Sequence, residues 1–272
     1  MKIILLSGGK SSRMGTDKMQ LLRADGRTVF ENLHAILSEL GSEIYLSVRD
    51  ESQPALAGLP TLVDVIMNAG PLGALHAAWE QFDESILLVA GDLALLNRET
   101  LRQLIDQHQQ SARATCFANR LDQKSEPLCA IYEPKCKNDL LNFLNEKQFC
   151  ARSFLEKISP TVLALHHPCS LDNCNTPEDW SEIQEKLRSG IRSCQVKIHY
   201  HALLREARGV SQETYQTYAH TALGLYEELR FTYRLPLRME QLRLAKNQEF
   251  VSWQVGVNQD DEFTFLQPFS GG

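Results

Sequence analysis

Lys2–Leu6 is an unbroken apolar run closed by Ser7-Gly8-Gly9, the pattern of a strand buried on both faces of a sheet. From Val29 to Leu40 the apolar residues Phe30, Leu33, Ile36, Leu37 and Leu40 recur at helical spacing, and Gly41 closes the run. Ile44–Leu46 and Leu59–Val65 predict strands, Pro71–Phe82 a helix, and Ser85–Ala90 a strand that ends in Gly91-Asp92. Asn97 has the side chain of an N-cap, and a helix continues through Thr100–His108. Strands alternating with helices at this pitch predict an α/β domain, a parallel sheet with helices on both faces. The pattern changes near Ser189-Gly190. A charged helix closes over Glu182–Arg188 and Ser-Gly-Ile-Arg-Ser follows as a linker; Val196–Tyr200 then alternates as a strand and Thr221–Tyr233 reads as a helix. Short strands follow at Leu242–Ala245, Phe250–Trp253 and Glu262–Leu266, which together predict a small α+β domain. The domains are drawn at 1–190 and 195–272, divided at Cys194.

Composition narrows the function classes. The 272 residues are 43% apolar and 23% charged, enough to bury two cores. A net charge of −6 speaks against a nucleic-acid partner, which needs a basic face, but leaves room for a small polyanion held by a few cations and backbone N–H groups. The opening apolar run is too short for a signal peptide and no stretch is long enough to span a membrane, so a cytoplasmic chain without a membrane partner is expected. The seven cysteines hold no C-x-x-C pair and are expected as reduced thiols. His166, His167, Cys169 and Cys174 fit no standard zinc spacing.

Ligands of such sheets sit outside the carboxyl ends of the strands, and three polar clusters fall there: Ser7–Lys18, Asp64–Gly73 and Gly91-Asp92. The first is the most informative. Glycines let backbone N–H groups approach a phosphate, Arg13 can grip it with two prongs, and Lys18 can meet it as a point charge. A P-loop would need glycine where Ile4 stands, and the adjacent Gly8-Gly9 break the dinucleotide fingerprint.

The run Leu6-Ser7-Gly8-Gly9-Lys10-Ser11-Ser12-Arg13-Met14-Gly15-Thr16-Asp17-Lys18 resembles the signature of the molybdopterin nucleotidyltransferases, with Ser7 replacing the usual Ala. Its paired glycines and Asp-Lys ending are similar to the guanylyl branch, molybdenum cofactor guanylyltransferase. Asp64 with Gly70-Pro71-Leu72-Gly73, Val89-Ala90-Gly91-Asp92-Leu93, Glu126–Tyr132 and Asn173-Cys174-Asn175-Thr176-Pro177-Glu178-Asp179 extend the resemblance in order over the first 190 residues. Ala94 stands where relatives often carry Pro, and Ser47 where some carry a nucleotide-touching Asn.

The resemblance implies a nucleotide-diphospho-sugar-transferase-like, Rossmann-like mixed sheet and a reaction joining GMP from GTP to molybdopterin, with release of pyrophosphate. The nucleophile is already an anionic phosphate oxygen, so catalysis rests on holding two polyanions in line and neutralising charge. The resemblance assigns Arg13, Lys18 and Asp92 to catalysis, and Leu6, Ser7, Gly8, Gly9, Lys18, Ser47, Asp64 and Asp92 to the nucleotide. It assigns Asn173 and Asn175 to molybdopterin and Asp92 to Mg2+, with Asp64 accepting from guanine N1–H and its amino group.

The tail Asp260-Asp261-Glu262-Phe263-Thr264-Phe265-Leu266-Gln267-Pro268-Phe269-Ser270-Gly271-Gly272 leads out of a strand into two glycines, which lack side chains that would obstruct threading into a narrow site. With Val196–Glu206 it resembles the small subunit of molybdopterin synthase, a β-grasp, ubiquitin-like sulfur carrier. That implies a thiocarboxylate on Gly272, an adenylating and sulfurating enzyme that acts there, and the synthase large subunit as partner. A CTP-dependent transferase, a non-catalytic nucleotide-binding carrier and a ubiquitin-like modifier remain the alternatives.

Overall fold

The computed structural model describes residues 1–7, 17–49, 56, 58–66 and 69–267. The chain divides into two compact units, Met1–Asn175 and Thr176–Gly272.

In the front unit the chain runs β1 (Lys2–Leu6), α1 (Val29–Ser38), β2 (Ile44–Val48), β3 (Thr61–Val63), α2 (Pro71–Gln81), β4 (Ile86–Ala90) and α3 (Arg98–Gln107). It continues through β5 (Ala114–Ala118), β6 (Ser125–Tyr132), α4 (Lys137–Asn145), α5 (Ala151–Lys157) and β7 (Thr161–Leu163). The strands form one sheet in the order β3-β2-β1-β4-β6-β5-β7. All five residues of β4 are buried between helix layers, which is why that segment reads as continuous rather than alternating hydrophobicity. Thr28 and Glu31 close a reciprocal capping box on α1, and Asn97 caps α3 through the Thr100 N–H as the sequence predicts.

The periodicity predicts a wholly parallel sheet, and here it is corrected. β6 runs antiparallel to both β4 and β5, giving the mixed sheet that the family resemblance implies. The cause is the short connection after β5, closed by Asn119 and Lys124. Without a crossover helix a strand returns antiparallel, and apolar runs do not encode direction. α4 and α5, unassigned in the sequence, bring Phe143 and Phe154 together in the core with ring centroids 5.5 Å apart.

The back unit opens with α6 (Pro177–Ser189) and continues with β8 (Cys194–Tyr200), α7 (Ala202–Arg208), β9 (Gln212–Thr217), α8 (Ala222–Tyr233), β10 (Arg243–Lys246), β11 (Glu249–Phe250) and β12 (Glu262–Leu266). The sheet order is β11-β10-β12-β8-β9, with β8 and β12 parallel at its centre. Cys194, Val196, Ile198 and Tyr200 alternate inward along β8 and meet Phe263 and Phe265 of β12 and Leu225, Tyr226 and Leu229 of α8. One principal helix on a mixed sheet whose first and last strands pair in parallel is a β-grasp-like arrangement.

β11 stops short of the expected Phe250–Trp253 strand. The chain turns away so that the carbonyls of Trp253 and Val255 accept from Leu223 and Ala222, first-turn N–H groups of α8 that lack intrahelical partners. Trp253 thereby stacks on Phe265.

The charged helix expected at the end of the front domain, α6, is tied to the start of α8 by the buried side chain of Glu182 and by Ser189, whose hydroxyl bonds the His220 ring. Glu182 accepts from the backbone N–H of His220 and Thr221 and from the Thr221 hydroxyl, which in turn accepts from Gly224 N as the cap of α8. No room is left at Gly224, where a Cβ would sit 2.6 Å from the Glu182 carboxylate. Replacing Glu182 by Ala strands two buried N–H donors, and about 2–4 kcal/mol of stability should be lost. The exposed Glu185, paired only with Arg188 across one turn, should cost less than about 0.5 kcal/mol when replaced. Urea unfolding of the two Ala variants, followed by the back unit's tryptophan fluorescence, measures the difference.

Candidate functional site

Parallel pairing places Leu6 beside Ser47 on one flank and Ala90 on the other, so β2, β1 and β4 end together at one edge. Ser7 locks this edge, since its N–H and its hydroxyl both donate to the Ser47 carbonyl. The chain leaving each strand therefore carries its polar residues into the same region.

Beside β2, the Ser47 hydroxyl donates to Asp64 Oδ1 at 3.2 Å, and the Asp64 N–H extends the β2–β3 pairing to Val48. The Asp64 carboxyl is pushed above the usual carboxylate range by burial, opposed by the Ser47 bond and by the charge of Arg49. The Gly70-Pro71-Leu72-Gly73 turn brings α2 against it. Gly70 sits at φ 56°, ψ −138°, outside the basins of other residues, and Pro71 starts the helix. A Cβ on Gly73 would press on Ala69 Cβ at 3.2 Å and would lie in ordinary contact, 3.6 Å, with Asp64 Cγ, so the first turn of α2 packs directly beside the carboxylate.

At the end of β4 a second cluster forms. The Lys18 ammonium donates to Asp92 Oδ2 at 3.1 Å and to Asn175 Oδ1 at 2.7 Å, joining residues far apart in the chain. Lys18 lies on a single 3-10 turn, Lys18–Gln20, capped by the Asp17 carboxylate on the Met19 N–H. Met19 packs down onto Gly91, where a Cβ would meet the Leu6 carbonyl at 2.5 Å and Met19 Sδ at 2.9 Å. Gly91 thus matters for absent volume: it lets the turn settle low enough for Lys18 to reach Asp92. Nearby, Arg120 grips Asp172 with two bonds of 2.7 and 2.9 Å, fixing the segment that carries Asn173 and Asn175.

The structure brings together Leu6, Ser7, Ser47 and Asp64 on one side and Lys18, Asp92 and Asn175 on the other. Asn173 is exposed two residues before Asn175, and it is Asn175 that reaches Lys18. Gly8, Gly9, Arg13 and Gly272 lie outside the described residues.

A further polar group in the front unit was assigned no role in the sequence. Glu126, buried on β6, accepts from Asn119 at 3.2 Å with Arg152 at 3.5 Å, and Arg152 also reaches Asp122. Burial pushes the Glu126 carboxyl up, with Asn119 and Arg152 opposing. In the sequence Glu126 opens the family's Glu126–Tyr132 motif, a charge at the head of an apolar run. A concavity of about 390 Å³ lined by Met1, Glu84, Glu133 and Lys135 lies at the amino ends of β1 and β4, at the opposite edge of the sheet from these motifs. Among the described residues no three His, Cys, Asp or Glu side chains gather as a metal cluster, and no helix is long and apolar enough to cross a membrane.

Residues 3–162 match the MobA-like NTP transferase domain family, and residues 198–272 match the ThiS family. The chain is 30% identical over 183 residues to the molybdenum cofactor biosynthesis bifunctional protein of Synechocystis sp., covering 66% of this chain and 52% of that one; it spans about half that relative's length. It is 30% identical over 190 residues to the molybdenum cofactor guanylyltransferase of Xanthomonas euvesicatoria, covering 66% of this chain and 92% of the relative. Among solved structures, the molybdopterin-guanine dinucleotide biosynthesis protein A of Archaeoglobus fulgidus shares the fold of the front unit, with a TM-score of 0.56, 22% identity, and coverage of 68% of this chain and 97% of that one.

The raised Asp64 pKa has a stability consequence of definite sign. Protons bind more tightly to folded than to unfolded Asp64, so its ionisation opposes folding as pH rises through the two values. Asp64→Asn should therefore raise the unfolding midpoint at pH 7, and the gain should fade as pH falls below the ordinary carboxylate range. Thermal unfolding of both proteins across pH 3–8 checks this.

Proposed function

The chain belongs to the MobA-like NTP transferase family, and on that premise we propose that it transfers GMP from GTP to molybdopterin and carries sulfur as a thiocarboxylate on Gly272. The observation that carries the first half is the meeting of Lys18, Asp92 and Asn175 at the strand edge that also holds Asp64 and Ser47. Three strand spacings, roughly 14 Å, separate β3, which leads into Asp64, from β4, which leads into Asp92. That span suits a nucleotide with its base at Asp64 and its phosphates at Lys18.

In this reading Asp64 accepts from guanine N1–H and the 2-amino group, and the Ser47 hydroxyl holds that carboxylate in one orientation. A cytosine ring cannot donate from the same two positions. Lys18, with Arg13 and the Gly8 and Gly9 amides, neutralises the triphosphate. The terminal phosphate oxygen of molybdopterin, directed by Asn175 and Asn173, attacks the α-phosphorus. The bond from the α-phosphorus to the bridging oxygen breaks, and pyrophosphate leaves with that electron pair. The oxygens of Asp92 and Asn175 already converge on one cation, Lys18 Nζ, and hard oxygens few in number suit Mg2+, which completes its shell with phosphates and water. Magnesium bound there would supply charge neutralisation at the α-phosphate and the leaving group.

The match of residues 198–272 to the ThiS family supports the second half. Adenylation of the Gly272 carboxylate by an activating enzyme, with AMP then displaced by a sulfur donor, gives the thiocarboxylate. The large subunit of molybdopterin synthase is the partner that consumes it.

Pyrophosphate release by the full chain with Mg2+, molybdopterin and either GTP or CTP tests the transferase. GTP should be used and CTP should not; selective use of CTP would overturn the role of Asp64. Asp92→Ala should lower kcat by at least about a hundredfold, the scale expected when a charge-stabilising group at the reacting phosphate is removed. Mass spectrometry of the C-terminal peptide after incubation with ATP, an activating enzyme and sulfide should show oxygen replaced by sulfur on Gly272, and deletion of Gly272 should abolish it.

A further inference from the structure

Resting on the reading of Asp92 and Asn175 as magnesium's protein oxygens, we propose that Lys18 is a cation placeholder that keeps these oxygens from taking a divalent ion until a triphosphate draws its ammonium away. The ammonium already sits where a metal would draw its two protein ligands, 3.1 Å from Asp92 Oδ2 and 2.7 Å from Asn175 Oδ1. A Mg2+ held by the same two oxygens would need the place the ammonium now takes between them, since it draws oxygens closer than an ammonium does. The two occupants exclude each other by volume and by like charge, in a place where the Lys18 and Asp92 side chains are only 19% and 21% exposed and screening is reduced.

The main chain fixes which part can move. Asp17 caps the turn, and Met19 is 1% exposed against Gly91, so the backbone of Lys18 is held and its side chain provides the exchange. A lysine ammonium is a strongly hydrated point charge on a four-carbon stem, with no geometric demand that ties it to one acceptor pair. A triphosphate offers it several anionic oxygens, richer acceptors than one carboxylate and one amide. Departure of the ammonium leaves Asp92 and Asn175 with their oxygens oriented and their cation gone. Nucleotide therefore creates the metal site, and free divalent ion is poorly bound before nucleotide arrives.

Mn2+ is the probe. Its binding to the full chain is followed by the paramagnetic resonance signal of the free ion, without GTP directly and with GTP as the further loss of signal beyond a protein-free Mn2+·GTP control, in the absence of molybdopterin, so that no turnover is read. Without GTP, Lys18→Met should bind Mn2+ at least about tenfold more tightly than the wild type, because a unit positive charge has been removed. Lys18→Arg keeps the charge and should bind as weakly as the wild type. With GTP the wild type should bind well, and Asp92→Asn should not. Circular dichroism confirms that each variant is folded. Lys18→Met binding no tighter than wild type, or Lys18→Arg binding as tightly as Lys18→Met, overturns the placeholder role while the metal reading stands on the loss in Asp92→Asn. Undiminished Mn2+ binding by Asp92→Asn with GTP overturns the metal reading and the placeholder with it.

Discussion

The front unit depends on three neighbouring strands ending in register, with Leu6 between Ser47 and Ala90. That register converts separate stretches of sequence into one polar edge. Backbone pairing alone does not aim side chains, and the aiming is done by what is missing. Gly91 has no Cβ to lift the Met19 turn, and Gly73 has none to press on Ala69 where the chain enters α2 beside Asp64. A methyl group at Gly91 would collide with the Leu6 carbonyl itself, a backbone atom of the central strand that cannot rotate aside. Strand register, helix placement and the reach of Lys18 are therefore one constraint.

Two buried carboxylates show how differently the same group is used. Glu182 has three donors on its oxygens and a helix N-terminus in front of it, so burial is compensated and the contact holds α6 to α8. Asp64 receives one hydroxyl at 3.2 Å and is pushed toward its protonated form. A carboxylate left short of donors has unspent accepting capacity, and two N–H donors from a guanine would complete it. The deficit costs folding stability, and on the proposed function a nucleotide base would make it good.

Most of this edge was legible in the sequence because each member follows a strand signal. Ser7 comes directly after an apolar run, Asp92 one glycine after another, and Asp64 near the end of the expected Leu59–Val65 strand, with glycine or proline nearby marking a turn that must be made. Asn175 was legible only through the family motif, since nothing in its local pattern says that it lies near Lys18. Glu126 and Arg152 were not assigned, because their relation arises from β6 turning back antiparallel and from α5, which the hydrophobic period did not announce. The truncation of β11 was likewise invisible. It results from α8 claiming the carbonyls of Trp253 and Val255, a tertiary demand that outweighs the strand propensity of Phe250–Trp253.

The chain's net charge of −6 sharpens the question of how it would hold two polyanions. At physiological salt, charges beyond about 8 Å are largely screened, so the overall negative field is a weak deterrent and the local arrangement decides. Among the described residues Lys18 is the cation at this cluster, and it is already paired with Asp92 and Asn175. A lysine satisfied in this way makes a poorer trap for stray inorganic phosphate, because capturing a small anion means giving up two good contacts. Only a ligand that brings several charges and a base for Asp64 compensates for breaking them. On the proposed function, selectivity for a complete nucleotide would then come from the bonds that Lys18 makes with Asp92 and Asn175.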